Sequence, residues 1–264
     1  MIADRTSAEW ADEEGGRGMP ARNDLHPIPL PNELRSERLV LRPYRAGDAE
    51  ALFAAVEESR QRLRPWLDWV DDFETFDHAR AYVSGAINDW TRRRELFFGV
   101  FAVDGRYLGN TGLHNVDWSL RSFEIGYWLR DGAEGHGYAQ EAVRRLTRFA
   151  FEDLNANRVE IRCDPRNERS RRVAERLGFV FEGCLRNSRQ DPTGEPRDTL
   201  VYALVPGDWK PIGEDDPFDS GCSERGGIDG CSPEATRVSR TDGLAEGPPS
   251  HPGRLSSDIV VPKG

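Results

Sequence analysis

The sequence predicts an α+β domain built on a mixed sheet, and three observations point that way. Short strand-like apolar runs alternate with stretches of helical periodicity, an Asp104-Gly105 dipeptide joins two of the runs, and a glycine-rich loop separates an apolar strand from an amphipathic helix. Residues 39–41, all branched and apolar, open the domain as a short strand. Asp48 is expected to cap a helix running to about Ser59, with Leu52, Phe53 and Val56 on one face. Ala79, Val83, Ile87 and Trp90 fall at steps of three and four and mark a second helix, with Asp77 as its cap. Residues 96–103 and 107–113 flank Asp104-Gly105 as a type I′ hairpin, and 123–129 adds a third strand to form a meander. After Gly137 the chain turns helical, since Ala142, Leu146, Phe149 and Ala150 share one face. Residues 158–163 read as a strand, 167–177 as a short helix stopped by Gly178, and 180–186 and 198–204 as the closing strands. The predicted order is β-α-α-β-β-β-α-β-α-β-β.

The 264 residues, 37% hydrophobic and 9% aromatic, suffice for a substantial core, which the composition confines to one domain at 34–210. Residues 211–264 hold 9 Gly, 7 Pro and a single aromatic, Phe218, so this acidic tail is expected to stay disordered. Residues 1–33, with Gly15-Gly16 and four prolines, read as a flexible lead-in. The net charge of −10 belongs to the ends: residues 34–210 hold 29 acids against 28 bases. An almost neutral domain without aromatics interleaved among its arginines does not suggest a nucleic-acid partner. No run approaches the roughly 18 apolar residues of a membrane helix, and no signal-peptide pattern opens the chain, so no membrane partner is expected and the cytoplasm is the expected location. Cys163, Cys184, Cys222 and Cys231 lack the paired spacing of a metal site, and no metal is expected.

The most informative segment runs from Trp128 to Ala139. Its small residues let backbone amides turn inward, and the helix that follows adds its positive end, which suits a phosphate or pyrophosphate. A dinucleotide-binding βαβ unit competes, because Glu160 lies about 20 residues on. Against it, Val159, Ile161 and Cys163 alternate with Arg158, Glu160 and Arg162, whereas buried parallel strands are apolar on both faces.

Several motifs in this order carry a family resemblance: LVLRPY (39–44), WLDW (66–69), EIGYWL (124–129), GHGYAQE (135–141), Asn167 with Ser170, LGFVFEG (177–183) and DTLVYA (198–203). Together they resemble the GCN5-related N-acetyltransferases (GNAT), and within them the RimJ/RimL-like branch that acetylates N-termini of ribosomal proteins. The resemblance spans about 39–205. It implies a mostly antiparallel twisted sheet with helices on both faces, and acetyl-CoA as donor and co-substrate. The pyrophosphate loop would be Gly135, His136, Gly137, Tyr138 and Ala139. Leu129 and Arg130 would offer backbone groups to a pantetheine arm lying between strands 123–129 and 158–163. Asn167 would contact that arm, and Ser170 would donate a hydrogen bond to the departing thiolate; from the residues alone both could equally be helix caps. The arginines at 162, 166, 169, 171, 172 and 176 would form a solvated face that partly serves the phosphates of CoA. The chain departs from the family at Gly132, where a Gln or Arg is usual. It departs again at Ala174, where many members carry a tyrosine, and at Arg189, where the serine-acetylating members place a glutamate.

Acetyl transfer to an amine needs the neutral amine, and an α-amino group with a reference pKa of about 7.7–8.0 asks only for a modest base. Glu124, opening the strand that leads to the loop, is the candidate base, with Glu182 and Asp198 as alternatives. Cys163 and Cys184 need not be nucleophiles for direct attack and read as buried strand thiols; His114 reads as structural. The expected acceptor is a protein or peptide N-terminus, with a small amine (polyamine, amino acid or antibiotic) as the alternative, and a catalytically silent acyl-CoA-binding module as the third reading. Trp66, Trp69 and Trp118 are expected on the acceptor side. No sequence signal bears on an oligomeric state.

Overall fold

The computed structural model describes residues 28–191 and 193–210. Residues 1–27 of the expected lead-in and the whole expected tail, 211–264 with Cys222 and Cys231, lie outside the described residues. Eight strands and four α-helices follow in chain order: β1 (Leu34–Arg35), β2 (Leu39–Pro43), α1 (Ala49–Leu63), α2 (Phe76–Arg92), β3 (Leu96–Ala102), β4 (Tyr107–Asp117), β5 (Ser122–Leu129), α3 (Tyr138–Glu152), β6 (Arg158–Cys163), α4 (Glu168–Arg176), β7 (Val180–Gln190) and β8 (Pro196–Leu204). They form one sheet ordered β1-β2-β3-β4-β5-β6-β8-β7. Every neighbouring pair is antiparallel except β5 and β6, whose parallel pairing is bridged by α3.

The two faces of the sheet carry two cores. Leu96, Phe98 and Val100 of β3 pack with Leu146, Phe149 and Ala150 of α3, while Phe97 and Phe101 pack with Leu52 and Val56 of α1 and Tyr82 and Val83 of α2. The period-two alternation of a fully buried strand thus feeds both layers, and β3 reads as an unbroken apolar run for that reason. Ile28 and Leu30 also pack on the larger core, and Arg93 donates to the Ile28 carbonyl at 2.6 Å, so ordered packing begins before residue 34. At the other end Trp209 stacks on Phe151 at 5.2 Å.

Local chemistry differs from the sequence reading at several points. The Asp104-Gly105 hairpin is not type I′: only Gly105 has a positive φ, 89°, and its amide bonds the Ala102 carbonyl at 2.9 Å, which describes a type I turn followed by a left-handed glycine. Asp48 does not reach forward onto α1; its carboxylate turns back to the Arg45 amide at 2.7 Å and is held by both terminal nitrogens of Arg42. The α2 terminus is completed by His78, whose Nδ1 accepts from the amides of Glu74 and Thr75, rather than by Asp77. Ile87 is exposed, because Tyr82 and Ala86 share the buried face with Ala79 and Val83. The two-residue β1 was not expected, and α1, β4 and β7 each run longer than their sequence signals. Gly178, at φ 78°, ends α4 as expected.

Candidate active site

β5 and β6 pair only at Ser122–Arg158, Phe123–Val159 and Glu124–Glu160. Beyond Glu124 each strand follows a different neighbour: β5 stays on β4 as far as Leu129, and β6 stays on β8 as far as Cys163. The sheet therefore splits, and the split is a cavity of about 430 Å³. It is lined by β5 from Glu124 to Leu129, the start of α3, the end of β6, the inner side of α4, and Arg62, Leu63, Trp66 and Leu67 at the end of α1.

One end of the cavity is the loop into α3. Gly135 and Gly137 have φ 75° and 79°, a region side chains rarely adopt, and Gly137 is the residue from which α3 starts. The first bond of the helix is Glu141 N–H to the Gly137 carbonyl, so the amides of Tyr138, Ala139 and Gln140 have no intrahelical acceptor and all three residues line the cavity. The turn is braced from β2's approach. Glu141 accepts from Ser36 Oγ at 2.7 Å, the Arg38 amide at 2.9 Å and Arg38 Nε at 2.7 Å, and Arg38 Nη1 donates to the His136 carbonyl at 2.9 Å. Arg62, which sequence reasoning missed, reaches from α1 to Asp131 at 2.5 Å, to Glu134 at 2.5 Å and to the Leu129 carbonyl at 2.6 Å. Arg169 meets the same Glu134 oxygen, and Arg172 and Arg176 also line the cavity.

The other end holds Glu124, buried at 2% exposure. Asn115 Nδ2 donates to its Oε2 at 2.8 Å; Arg162 Nε stands 3.6 Å from Oε2, and Arg189 and His114 each stand 3.9 Å from Oε1. Two irregular strands aim these groups. Between His114 and Asp117 the β4 register slips, with Asn115 left-handed at φ 49°; between Leu185 and Arg189 β7 slips against β8, with Asn187 left-handed at φ 50°. Such bulges re-aim side chains, and asparagine tolerates the conformation. Burial pushes the Glu124 carboxyl up to about 7, against the opposing pull of Asn115, Arg162 and Arg189. Burial, then Arg189 and Arg162, hold the His114 imidazole down at about 3, so it is neutral beside the carboxylate. Glu95 is driven up to about 8 by burial and by Asp89. A carboxylate that titrates near neutrality at the buried end of a cavity has the property a general base needs.

On α4, Asn167 caps the helix, its Oδ1 accepting from the Ser170 amide at 3.1 Å, and both residues line the cavity. The Ser170 hydroxyl lies 2.9 Å from the Tyr127 hydroxyl. Ala174 is fully buried. Of the expected site residues, Glu124, Leu129, Gly135, Gly137, Tyr138, Ala139, Asn167 and Ser170 meet around one cavity. Arg130 and His136 stand outside its lining: the Arg130 amide bonds the Leu108 carbonyl and its guanidinium grips Glu58, while His136 is exposed. Of the alternative bases, Glu182 is tied to Arg158 and held below the usual carboxylate range, and Asp198 accepts from the Asn187 amide. Trp66 lines the cavity, but Trp69 packs in the smaller core against Trp128, and Trp118 packs on Phe123 in the larger one. Cys163 is buried and Cys184 half-buried, with no disulfide between them. Among the described residues no helix is long and apolar enough to cross a membrane, and no cluster of metal-ligating side chains occurs.

Residues 38–180 match the model of the acetyltransferase (GNAT) domain family. YdaF of Bacillus subtilis (strain 168), named a putative ribosomal N-acetyltransferase, is 35% identical over 178 residues, 66% of this chain and 95% of the relative. The ribosomal-protein-serine acetyltransferase of Escherichia coli (strain K12) is 26% identical over 58% of this chain and 85% of its own length. Among solved structures, RimL, a ribosomal L7/L12 alpha-N-protein acetyltransferase in complex with coenzyme A, aligns with a TM-score of 0.62 at 25% identity, over 66% of this chain and 97% of that one.

Proposed function

The chain belongs to the acetyltransferase (GNAT) domain family, and from that premise we propose that it transfers an acetyl group from acetyl-CoA to the N-terminal amine of a protein, ribosomal proteins foremost, by direct attack within a ternary complex. The observation that carries this reading is the split between β5 and β6, with unsatisfied helix amides at one end and a buried carboxyl near pKa 7 at the other. Acetyl-CoA supplies the activated thioester. The amides at 138–140 and the Arg169, Arg172 and Arg176 guanidinia would hold its phosphates, and Asn167 and Leu129 would flank the arm. Glu124, ionised above about pH 7, takes the proton of the attacking amine, directly or through one water, and Ser170 hydrogen-bonds the departing sulfur. Residues 34–210 are proposed as the catalytic unit, with 28–33 retained for their packing.

A thiol-release assay with acetyl-CoA tests this, run against peptides differing in their first residue and against a panel of small amines, with products identified by mass spectrometry. Acetylation at peptide N-termini is expected. Turnover confined to polyamines, amino acids or antibiotics would replace the acceptor, and acetyl-CoA binding without turnover would leave an acyl-CoA-binding module.

A further inference from the structure

Three hydroxyl side chains that line the cavity, Tyr127, Tyr138 and Ser170, differ in their company. Tyr138 sits at the loop end under the Arg38 guanidinium. Tyr127 and Ser170 face each other across the split: the phenol oxygen is 2.9 Å from Ser170 Oγ and 3.2 Å from the Ser170 carbonyl. The strand pairing creates this contact. Tyr127 follows the same alternation as Phe123 and Ile125, toward the α3 and α4 layer, but it lies beyond Glu124, where β6 has already parted from β5. Its ring therefore crosses the gap to the first turn of α4.

We propose that Tyr127 is the positioning residue and ultimate proton source that acts through Ser170 on the departing thiolate, an inference that rests on the acetyl-transfer reading above. An aliphatic hydroxyl can hydrogen-bond a thiolate but holds its own proton too tightly to surrender it, whereas a phenol, with a reference pKa of about 10, stands close to a thiol at about 8.5. The phenol's single hydrogen has two acceptors within reach, the Ser170 carbonyl and Ser170 Oγ; when it turns to Oγ, the nearer of the two, the serine's own hydrogen is left to point at the sulfur. As the amine nitrogen bonds to the acetyl carbon, the carbon–sulfur bond breaks and its electron pair goes to sulfur. In one concerted shift the sulfur takes the Ser170 proton as Ser170 takes the Tyr127 proton, so no serine alkoxide forms. The proton lost by the amine goes to Glu124, and solvent returns one proton to Tyr127 and removes one from Glu124, so the enzyme is restored.

A double-mutant cycle on kcat tests the pair, using acetyl-CoA with the best peptide acceptor and checking the melting temperature of each variant. Tyr127→Phe keeps the ring and is expected to lower kcat roughly tenfold with KM for acetyl-CoA unchanged. Ser170→Ala should lower it tenfold to a hundredfold, the double variant should be no slower than Ser170→Ala, and Ser170→Thr, which keeps the hydroxyl, should recover most of the rate. Parent kcat in Tyr127→Phe, or losses that simply multiply in the double variant, would overturn the coupling. If Ser170→Ala turns over at the parent rate, the serine's role falls and this proposal with it, while acetyl transfer by the parent stands. If Tyr127→Phe unfolds, parent-like kcat in Tyr127→His, which keeps a donor, against a tenfold loss in Tyr127→Leu decides the matter, and equal rates in the two overturn it.

Discussion

At the loop end of the cleft, one continuous run, 134–141, supplies the left-handed glycines, the open amides and the glutamate that locks the turn to Ser36 and Arg38. At the Glu124 end, four different strands each send in a charged or polar group, and two of those strands must break register to do it. The loop end is made of backbone geometry, so it is suited to hold a ligand that does not change during the reaction. The Glu124 end is made of buried charge, so it is suited to a proton that moves. Substitutions should therefore separate cleanly, the first kind altering affinity and the second altering the dependence of rate on pH.

The largest effect expected is in Glu124→Gln. Removal of the proposed base is expected to lower kcat about a hundredfold near pH 7–8. The deficit shrinks below about pH 7, where the parent's own carboxyl is protonated. Acetyl-CoA affinity stays within a factor of two, and a fall in affinity matching the fall in rate would erase the distinction between the two ends. Gly137→Val comes next: a branched side chain at φ 79° strains the turn, and its Cβ would also meet Arg38 at 3.4 Å. Calorimetry should show acetyl-CoA binding weakened at least tenfold, on the order of 1.4 kcal/mol, with the pH profile of the residual activity unmoved.

A smaller effect concerns stability. Because the fold raises the Glu124 carboxyl from its ordinary value of 4.5 to about 7, the unfolded chain loses that proton first, and this group's contribution to stability falls as pH rises through that window. Glu124→Gln should therefore gain a few degrees in melting temperature over the parent at pH 8 and lose that advantage at pH 4. An advantage independent of pH would mean that the carboxyl is not titrating in the fold. The smallest effect belongs to Arg38→Ala, which removes the outer brace of the loop while leaving the glycines and amides in place. A severalfold rise in the Kd for acetyl-CoA with an unchanged pH profile is expected, and an altered profile would show that the two ends communicate.

What the sequence disclosed follows the same division. The loop was legible because its chemistry is contiguous: Gly135 to Glu141 can be read as a turn and a helix start without knowing what surrounds it. Glu124 was legible as a residue but not as an environment. Its burial, and the approach of Asn115, Arg162, Arg189 and His114, depend on which strands become neighbours and on two bulges that no apolar period announces. Asparagines inside otherwise strand-like runs, at 115 and 187, were the available signal. The hairpin turn was misread because Asp-Gly also suits a type I turn with one left-handed glycine, and the helix starts were misread because Asp48 turns back to the Arg45 amide and His78 accepts the amides assigned to Asp77. Tyr127 was hidden by its own motif, since a tyrosine on an amphipathic strand reads as core until the neighbouring strand is known to turn away.

The narrow seam between β5 and β6 also bears on how the molecule assembles. The strands from β1 to β5 pair consecutively, each with the one before it in the chain, with α1 and α2 lying between β2 and β3 in sequence. The β6, β8 and β7 part follows the crossover through α3 and hydrogen-bonds β5 across three residue pairs, while Val159, Ile161, Leu200 and Tyr202 share the larger core with β3 and α3. A ligand lodged in the cleft would touch β5 on one side and β6 and α4 on the other, and so would act as a rivet across the seam. The free energy of its binding would add to the stability of the native state, in which that seam is closed. Ligand capture and the stability of the seam would be, in that sense, one coupled equilibrium.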